Sequence, residues 1–331
     1  MPINDVRNTV LAIANKNNYG YISPQDFNLY AQQAQMDVYE DYFYQYNNWI
    51  NRENSRTSGT GYANIVKSLE EVIDSFSAEA FLSQLPADLN LSNKYQLPAD
   101  YYLINKLFYY PNTLFTGTNT VVAAFKLTDS TKTFISNPST MVSPPIGSII
   151  VNNTTGQQCY VTAVDNATTL SISSNIMALN NSYTIYSANN ITEVERVNQN
   201  KIFLLTSSNL TAPTTQYPAY VLGGASTNVA TPNAVIGNTV DVYPTTIRQQ
   251  YAIKVQYIRY PLPPQWTYTS LVSGEPLFNP GSTSYQDFEL PLSDEAMLVA
   301  KICQYVGIEI READVYKFGS DQETMETQES S

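Results

Sequence analysis

The sequence contains no histidine, only two cysteines, and 14% charged residues across 331 positions. Without histidine there is no Ser-His-Asp or Cys-His triad, no imidazole metal ligand and no use of the commonest general base. Cys159 and Cys303 are too few and too far apart for a disulfide framework or a cysteine zinc site, so two buried, reduced thiols are expected. No G-x-x-x-x-G-K-[ST], G-x-G-x-x-G or G-x-S-x-G stretch occurs, which leaves phosphate-cradling loops and nucleophile elbows unsupported. There is no run of about 18 apolar residues. The start "MPINDVRNTV" lacks a basic stretch followed by an apolar one, so neither a membrane span nor a signal peptide is expected.

Aromatics and uncharged polar residues fill the place of the missing charge. Aromatics reach 12%, with 26 tyrosines, and Asn, Gln, Ser and Thr must supply most of the polar surface. Protein contact surfaces share this bias, because their cores lose charge and gain Tyr. The net charge of −12 argues against tight binding to DNA or RNA, whose affinity comes from Lys and Arg neutralising phosphates. Any nucleic acid near this chain should slide past it. The length allows roughly two or three domains.

"NKNNYGYISPQDF" (15–27) has the glycine spacing of a calcium loop, with Asn15, Asn17 and Tyr19 at the first ligand positions and Asp26 at the last. Calcium needs six to eight hard oxygens, including several carboxylates, and this stretch does not supply them. It reads instead as a glycine turn followed by a capped helix, with Ser23 as N-cap, Pro24 at the first helical position and Asp26 closing the box.

The order along the chain predicts an α+β fold. Residues 1–85 form a helical body: a helix over 3–14, then a long one from Pro24 to about Asn51. The long helix carries Phe27, Ala31, Ala34, Val38, Tyr42, Tyr46 and Trp49 on one stripe. Additional aromatics on a second side imply a further neighbour. "YANIVKSLEEVIDSFSAEAFL" reads as a third, amphipathic helix reaching Ala80. Residues 86–112 read as an extended connection. Residues 113–190 form a small β-sandwich or barrel insertion built from "TVVAAFKL", "GSIIVNN", "QQCYVTAV", "TTLSISS" and "SYTIYS". Within it, Val161, Val164, Leu170 and Ile172 flank a "DNAT" connection in hairpin fashion.

The run "NKIFLLT" is read as a further strand, within a β-rich region spanning 191–290. In "TIRQQYAIKVQYIRYP" alternation places Tyr251, Ile253, Val255, Tyr257 and Arg259 on one face. Residues 291–318 hold a C-terminal helix joining the helical body, capped by Ser293, lined by Ala296, Val299, Ile302, Cys303 and Val306, and ended by Gly307. Residues 319–331 are an acidic tail expected to be mobile. "YPLPPQW" (260–266) contains a formal PxxP motif, but reads better as an extended exit from a strand, anchored by Trp266. The carboxylate clusters Asp37/Glu40/Asp41 and Glu70/Glu71/Asp74 lie on the polar sides of amphipathic helices, where a solvated face is the ordinary outcome rather than a glycosidase pair.

Several segments together resemble a family: "NYGYISPQDFNLYAQQAQMDVYEDYF", the β-rich middle, "IRYPLPPQW" and "DFELPLSDEAMLVAKICQYVGIEIREADVYKFG". The resemblance is to the head-to-tail adaptor, or neck ring, proteins of short-tailed bacteriophages, most closely the crAss-like group, and it covers about half of the chain. It implies a non-enzymatic virion protein, made in the host cytoplasm and needing no cofactor or metal. It also implies a closed ring of about twelve copies that touches the portal and adjacent neck or tail proteins and lets DNA through its channel. The candidate packing and interface residues are Tyr42, Tyr46, Trp49, Tyr257, Tyr260, Trp266, Tyr316 and Phe318. The alternative is a carbohydrate-binding or fibre-like virion module acting in host attachment, which a contiguous exposed aromatic row on the 113–190 insertion would favour.

Overall fold

In the computed structural model of the chain, structure is described for residues 1–14, 22–55, 64–85, 93–134, 144, 146–189, 191–223, 238–271, 275–309, 317, 320 and 321. It opens with helices α1 (Ile3–Ala14), α2 (Pro24–Ser55) and α3 (Asn64–Asp74). Strands β1 (Ser77–Phe81), β2 (Ser83–Leu85), β3 (Lys94–Gln96), β4 (Tyr101–Tyr109), β5 (Thr113–Thr118) and β6 (Lys126–Thr128) follow. Next come β7 (Ile149–Asn152), β8 (Gln158–Asn166), β9 (Thr169–Ile172), β10 (Ser182–Tyr186) and β11 (Thr192–Arg196). The chain continues with α4 (Gln199–Thr206), β12 (Ala219–Gly223), β13 (Thr239–Tyr243), β14 (Ile253–Arg259), the pair β15 (Tyr268–Ser270) and β16 (Pro276–Phe278), and α5 (Glu295–Glu309). The fold is therefore α+β, and it divides into one unit of residues 1–76 with 260–331 and a second of residues 77–259. Among the described residues no helix is long and apolar enough to cross a membrane.

The first unit is helical because its apolar residues recur at helical spacing. Ile3, Val6, Val10 and Ala14 of α1 are buried, and α1 packs on α5. The first backbone N–H of α1 is capped from far away in sequence: Ile3 N donates to Asp287 Oδ1 at 2.8 Å. On α2, Phe27, Ala31, Ala34, Val38 and Tyr42 are buried, and the small alanines suit the close packing of α5 and α3 against this helix. Ser23 caps α2 as its sequence suggests, since Asp26 N donates to Ser23 Oγ at 3.1 Å and the Ser23 hydroxyl donates to the Asp26 carboxylate. Residues 15–21 of the calcium-like stretch lie outside the described residues.

The C-terminal helix departs from its sequence reading. A 3-10 turn, Leu292–Asp294, leads into α5, and Ser293 Oγ donates to Asp294 Oδ1 instead of accepting from a helix N–H. Gly307 does not stop the helix but is buried inside it, and Ala296 is exposed. Leu298, Val299, Ala300, Ile302, Cys303 and Val306 are buried instead, because α5 has both α1 and α2 as neighbours and so needs more than one apolar face.

The second unit is β-rich. Its larger sheet runs β1-β14-β4-β11-β12-β13-β3-β2, and the two ends of that order are adjacent in the chain. Residues 77–85 thus bend at Leu82, pairing with β14 before the bend and β3 after it, which nearly closes a barrel. The expected third helix ends early for this reason. Ser75 Oγ bonds the Val72 carbonyl, and Ala78 to Phe81 pair with β14 although alanine and glutamate favour helix. Residues 94–96 and 101–109, within the expected extended connection, are sheet strands, β4 lying between β14 and β11.

The smaller sheet runs β5-β10-β7-β8-β9-β6 over residues 113–186. Its ends nearly meet, with Thr120 N donating to Thr128 O at 2.7 Å and a bridge between Val121 and Thr128. Leu127, Phe134, Ile150, Cys159, Val161, Leu170, Ile172, Tyr183 and Ile185 fill its core, as expected for a small barrel-like insertion. The hairpin of β8 and β9 is present, with Val161 opposite Ile172 and Val164 opposite Leu170. Ile149, Val151 and Tyr186 point the other way and join the core of the larger sheet, which is why every residue of β7 is buried.

Two short apolar runs take unexpected forms. "NKIFLLT" is the helix α4, the crossover between the parallel strands β11 and β12. A parallel pair cannot be joined by a tight turn, so the connection between them becomes helical. "TVVAAFKL" is strand only from Lys126, because Phe125 has φ 57° and turns its backbone out of the ladder. In β14 the alternation of faces also fails: Ile253, Lys254, Val255, Tyr257 and Ile258 are all buried, and Tyr251 precedes the strand at φ 57°.

Candidate functional site

The residues picked from the sequence separate into internal and surface groups. Trp266 is buried in the helical unit, its ring 3.9 Å from the Arg7 guanidinium carbon and stacked on both Tyr268 and Phe278, which are cross-strand neighbours. Its indole N–H donates to Asn4 Oδ1 at 3.1 Å, and its backbone N–H and C=O are matched by the Asn28 side chain. Tyr42 is buried and donates to the Asp294 carboxylate, linking α2 to the turn before α5. Burial, then that bond and the charge beside it, push the Tyr42 hydroxyl pKa upward. Tyr257 is buried in β14, where its hydroxyl donates to Asp100 Oδ1 at 3.0 Å; burial and the carboxylate push its pKa up to about 12.

Tyr46 and Trp49, one and two turns farther along α2, are half-buried, and Tyr46 donates to Glu70 Oε1 at 2.9 Å. Tyr260 is exposed at one edge yet packs beside Tyr39, which is fully buried and also touches Phe43 and Phe76. Phe76 and Tyr260 are the two residues at which the chain leaves and re-enters the helical unit, so Tyr39 fixes both exits. Tyr316 and Phe318 lie outside the described residues, as does nearly all of the acidic tail.

The PxxP stretch is held down within the helical unit. Leu262 N donates to Glu289 Oε2 at 2.8 Å, Gln35 Nε2 donates to Leu262 O at 2.8 Å, and Pro261 and Pro264 are buried. Of the carboxylate clusters, Glu40 and Asp74 are exposed to solvent and the others have polar neighbours. Asp37 accepts from Tyr305 and Gln33, Asp41 from Gln45 and Glu70 from Tyr46, while Glu71 lies 3.8 Å from Lys67. Among the described residues no group of three or more Cys, Asp or Glu is placed to hold a metal ion. Cys159 and Cys303 are free and buried, and burial pushes each thiol up to about 12.

The sequence reading passed over the uncovered apolar surface. Leu29 and Tyr44 are exposed on α2, Leu271 and Leu277 beside the β15–β16 pair, and Val121, Val122 and Phe125 at the rim of the small barrel. Phe125 is held in its left-handed conformation from both sides: its carbonyl accepts from Ile172 N at 3.0 Å and its N–H donates to Asn175 Oδ1. Such a conformation costs a bulky residue about 1–3 kcal/mol. In the 113–186 barrel the large exposed aromatics among the described residues are Phe125 and Tyr160. A cleft of about 280 Å³ opens in the β-rich unit between Phe81, Ser83, Gln96, Pro98, Gly156 and Tyr251, with no charged lining residue. No protein-family model matches the sequence, and a search of curated proteins gives no match.

Proposed function

We propose that this chain is a structural virion protein that forms an oligomeric ring in a phage neck, connecting head to tail around the DNA channel. The observation that carries the reading is a charge-poor surface with large apolar side chains left uncovered on α2, α4 and the small barrel. Isolated exposed apolar residues are ordinary, but their number in a chain with so little charge fits a protein whose surface is largely contact area. The resemblance of the helical ends and the "IRYPLPPQW" segment to neck ring proteins supplies the location. The net charge of −12 suits a passage for DNA, because an acidic wall repels phosphate and does not hold it. The glycan-binding alternative would rest on Phe125 and Tyr160, the two large aromatics exposed on the small barrel among the described residues.

The test is the solution mass of the purified chain together with negative-stain images. Closed rings of a single copy number at micromolar concentration are expected. A monomer at every concentration, whether alone or mixed with portal protein, would remove the proposal.

A further inference from the structure

We infer that the cleft of about 280 Å³ in the β-rich unit is a binding site for one uncharged sugar unit, with the hydroxyls of Tyr251 and Ser83 as its polar contacts. Tyr251 lines the cleft from a backbone conformation that bulky residues rarely adopt, with φ 57°. The two residues before it are tied down from three strands. The Gln249 carbonyl accepts from Tyr95 Oη at 3.1 Å, the Gln250 carbonyl from Tyr186 Oη at 2.7 Å, and Gln250 Oε1 from Gln84 N at 2.7 Å. Behind it, Tyr110 N donates to the Ala252 carbonyl at 2.9 Å. Strain held in place this firmly beside a cleft is typical of ligand sites. Gly156, at φ 75°, lines the same space, and a Cβ there would lie 3.7 Å from the Tyr251 hydroxyl, so the glycine keeps the approach to that hydroxyl open. Ser83 of β2 stands opposite Gln96 of β3. Among the described residues neither the Ser83 nor the Tyr251 hydroxyl has a hydrogen-bond partner, and burial by itself pushes the Tyr251 pKa upward. Two half-buried hydroxyls left unpaired in one cleft are groups that a ligand can satisfy.

The lining selects the class of ligand. None of the lining residues is charged, so an ion would give up water without gaining a counter-charge. A wholly apolar ligand would cover both hydroxyls and leave them unpaired. A neutral molecule is required, with an apolar face for Pro98 and the Tyr251 ring and with groups that both donate and accept, as the two side-chain hydroxyls do. A sugar ring has both properties: its C–H groups rest on the electron-rich face of an aromatic ring, and each of its hydroxyls donates or accepts. The volume lies just below the roughly 300–1,000 Å³ of pockets for drug-sized ligands, which limits the occupant to one ring or the end of a longer chain. An extended peptide fits less well, because the outward N–H of β2 that an added strand would use, Gln84 N, is already bonded to Gln250. The site is independent of the ring reading, since binding is measured equally on a monomer or an assembly.

The probes are the methyl glycosides of glucose, galactose, mannose and N-acetylglucosamine, offered at millimolar concentration to the full chain and followed by saturation-transfer NMR. At least one is expected to receive saturation at its ring protons and to bind with a Kd in the millimolar range, as suits one small ring. Tyr251→Phe and Ser83→Ala each remove only a hydroxyl, so each should keep the wild-type melting temperature and weaken binding about tenfold. The two lie on separate segments, and either one that folds reads the loss. Phe125→Ser, which is not in the cleft lining, should leave the affinity unchanged. No transfer to any of the four glycosides overturns the inference, as does affinity that survives Tyr251→Phe and Ser83→Ala combined. Loss of binding in Phe125→Ser overturns it by placing the sugar on the small barrel. Binding of acetyl-Gly-Asn-Gly-amide, sensitive to Tyr251→Phe, in place of all four glycosides would make the cleft a peptide site and overturn it too.

Discussion

Asp129 shows how far a single residue's role can be hidden from sequence. It has no solvent exposure, and its carboxylate accepts from Tyr183 Oη at 2.8 Å, from Thr131 N and Oγ1 at 2.9 and 2.6 Å, and from Thr118 N at 3.3 Å. Burial alone drives its pKa upward, but the Thr131 and Tyr183 hydroxyls and the Thr131 and Thr118 N–H groups outweigh burial and hold it below the ordinary value. A folded-state pKa that is depressed stabilises the native chain above the unfolded pKa near 4, and that contribution is lost as pH falls through the lower folded value. Asp129→Asn should therefore flatten the acid limb of stability in urea titrations, and a limb as steep as the wild type's would contradict the assignment. Gly117 belongs to the same cluster, because a methyl there would collide with Asp129 Oδ2 and lie 2.6 Å from Tyr183 Oη. Gly117→Ala is expected to cost about 1–3 kcal/mol by overpacking, read from the urea midpoint. The two tryptophans should separate in the same assay: Trp266→Ala loses about 3–5 kcal/mol, and Trp49→Ala, half-buried, clearly less. Equal losses would show that Trp49 is as enclosed as Trp266.

Among elements, those with an unbroken local signal were legible in the sequence. The buried stripe of α2, its Ser23 cap and the β8–β9 hairpin all follow from spacing and end chemistry that a window of residues contains. Ser23→Ala should cost about 1 kcal/mol, measured by thermal melting, and no change would mean that the cap is idle. Legibility failed where a distant neighbour decided the outcome. Ser77–Phe81 has helix-forming residues but becomes strand because β14 lies alongside, and Glu79 meets the buried Lys254 there. The NKIFLLT run becomes helix because β11 and β12 are parallel, a fact absent from its own composition. In β14 both faces are covered, so alternation carries no information. Among the candidate residues, Tyr42, Tyr257 and Trp266 are buried. The sequence reading did not point to Phe203, Leu204 or Leu210, whose exposure depends on where the crossover helix lies.

For the whole molecule, the proposed contact role draws on three features: no histidine, little charge, and large apolar side chains left exposed. In the proposed ring, the acidic excess of −12 per copy would give neighbouring copies a long-range repulsion that short-range contacts must overcome. The β-rich unit interrupts the helical one in sequence, and both of its junctions, Phe76 and Tyr260, are held by Tyr39. The most direct test of the neck-ring account is a cryo-electron reconstruction of particles that carry this chain. The account predicts density for it as a closed ring at the head-to-tail junction, surrounding the DNA path. Density at the tip of a fibre, or single copies away from the portal axis, would contradict it.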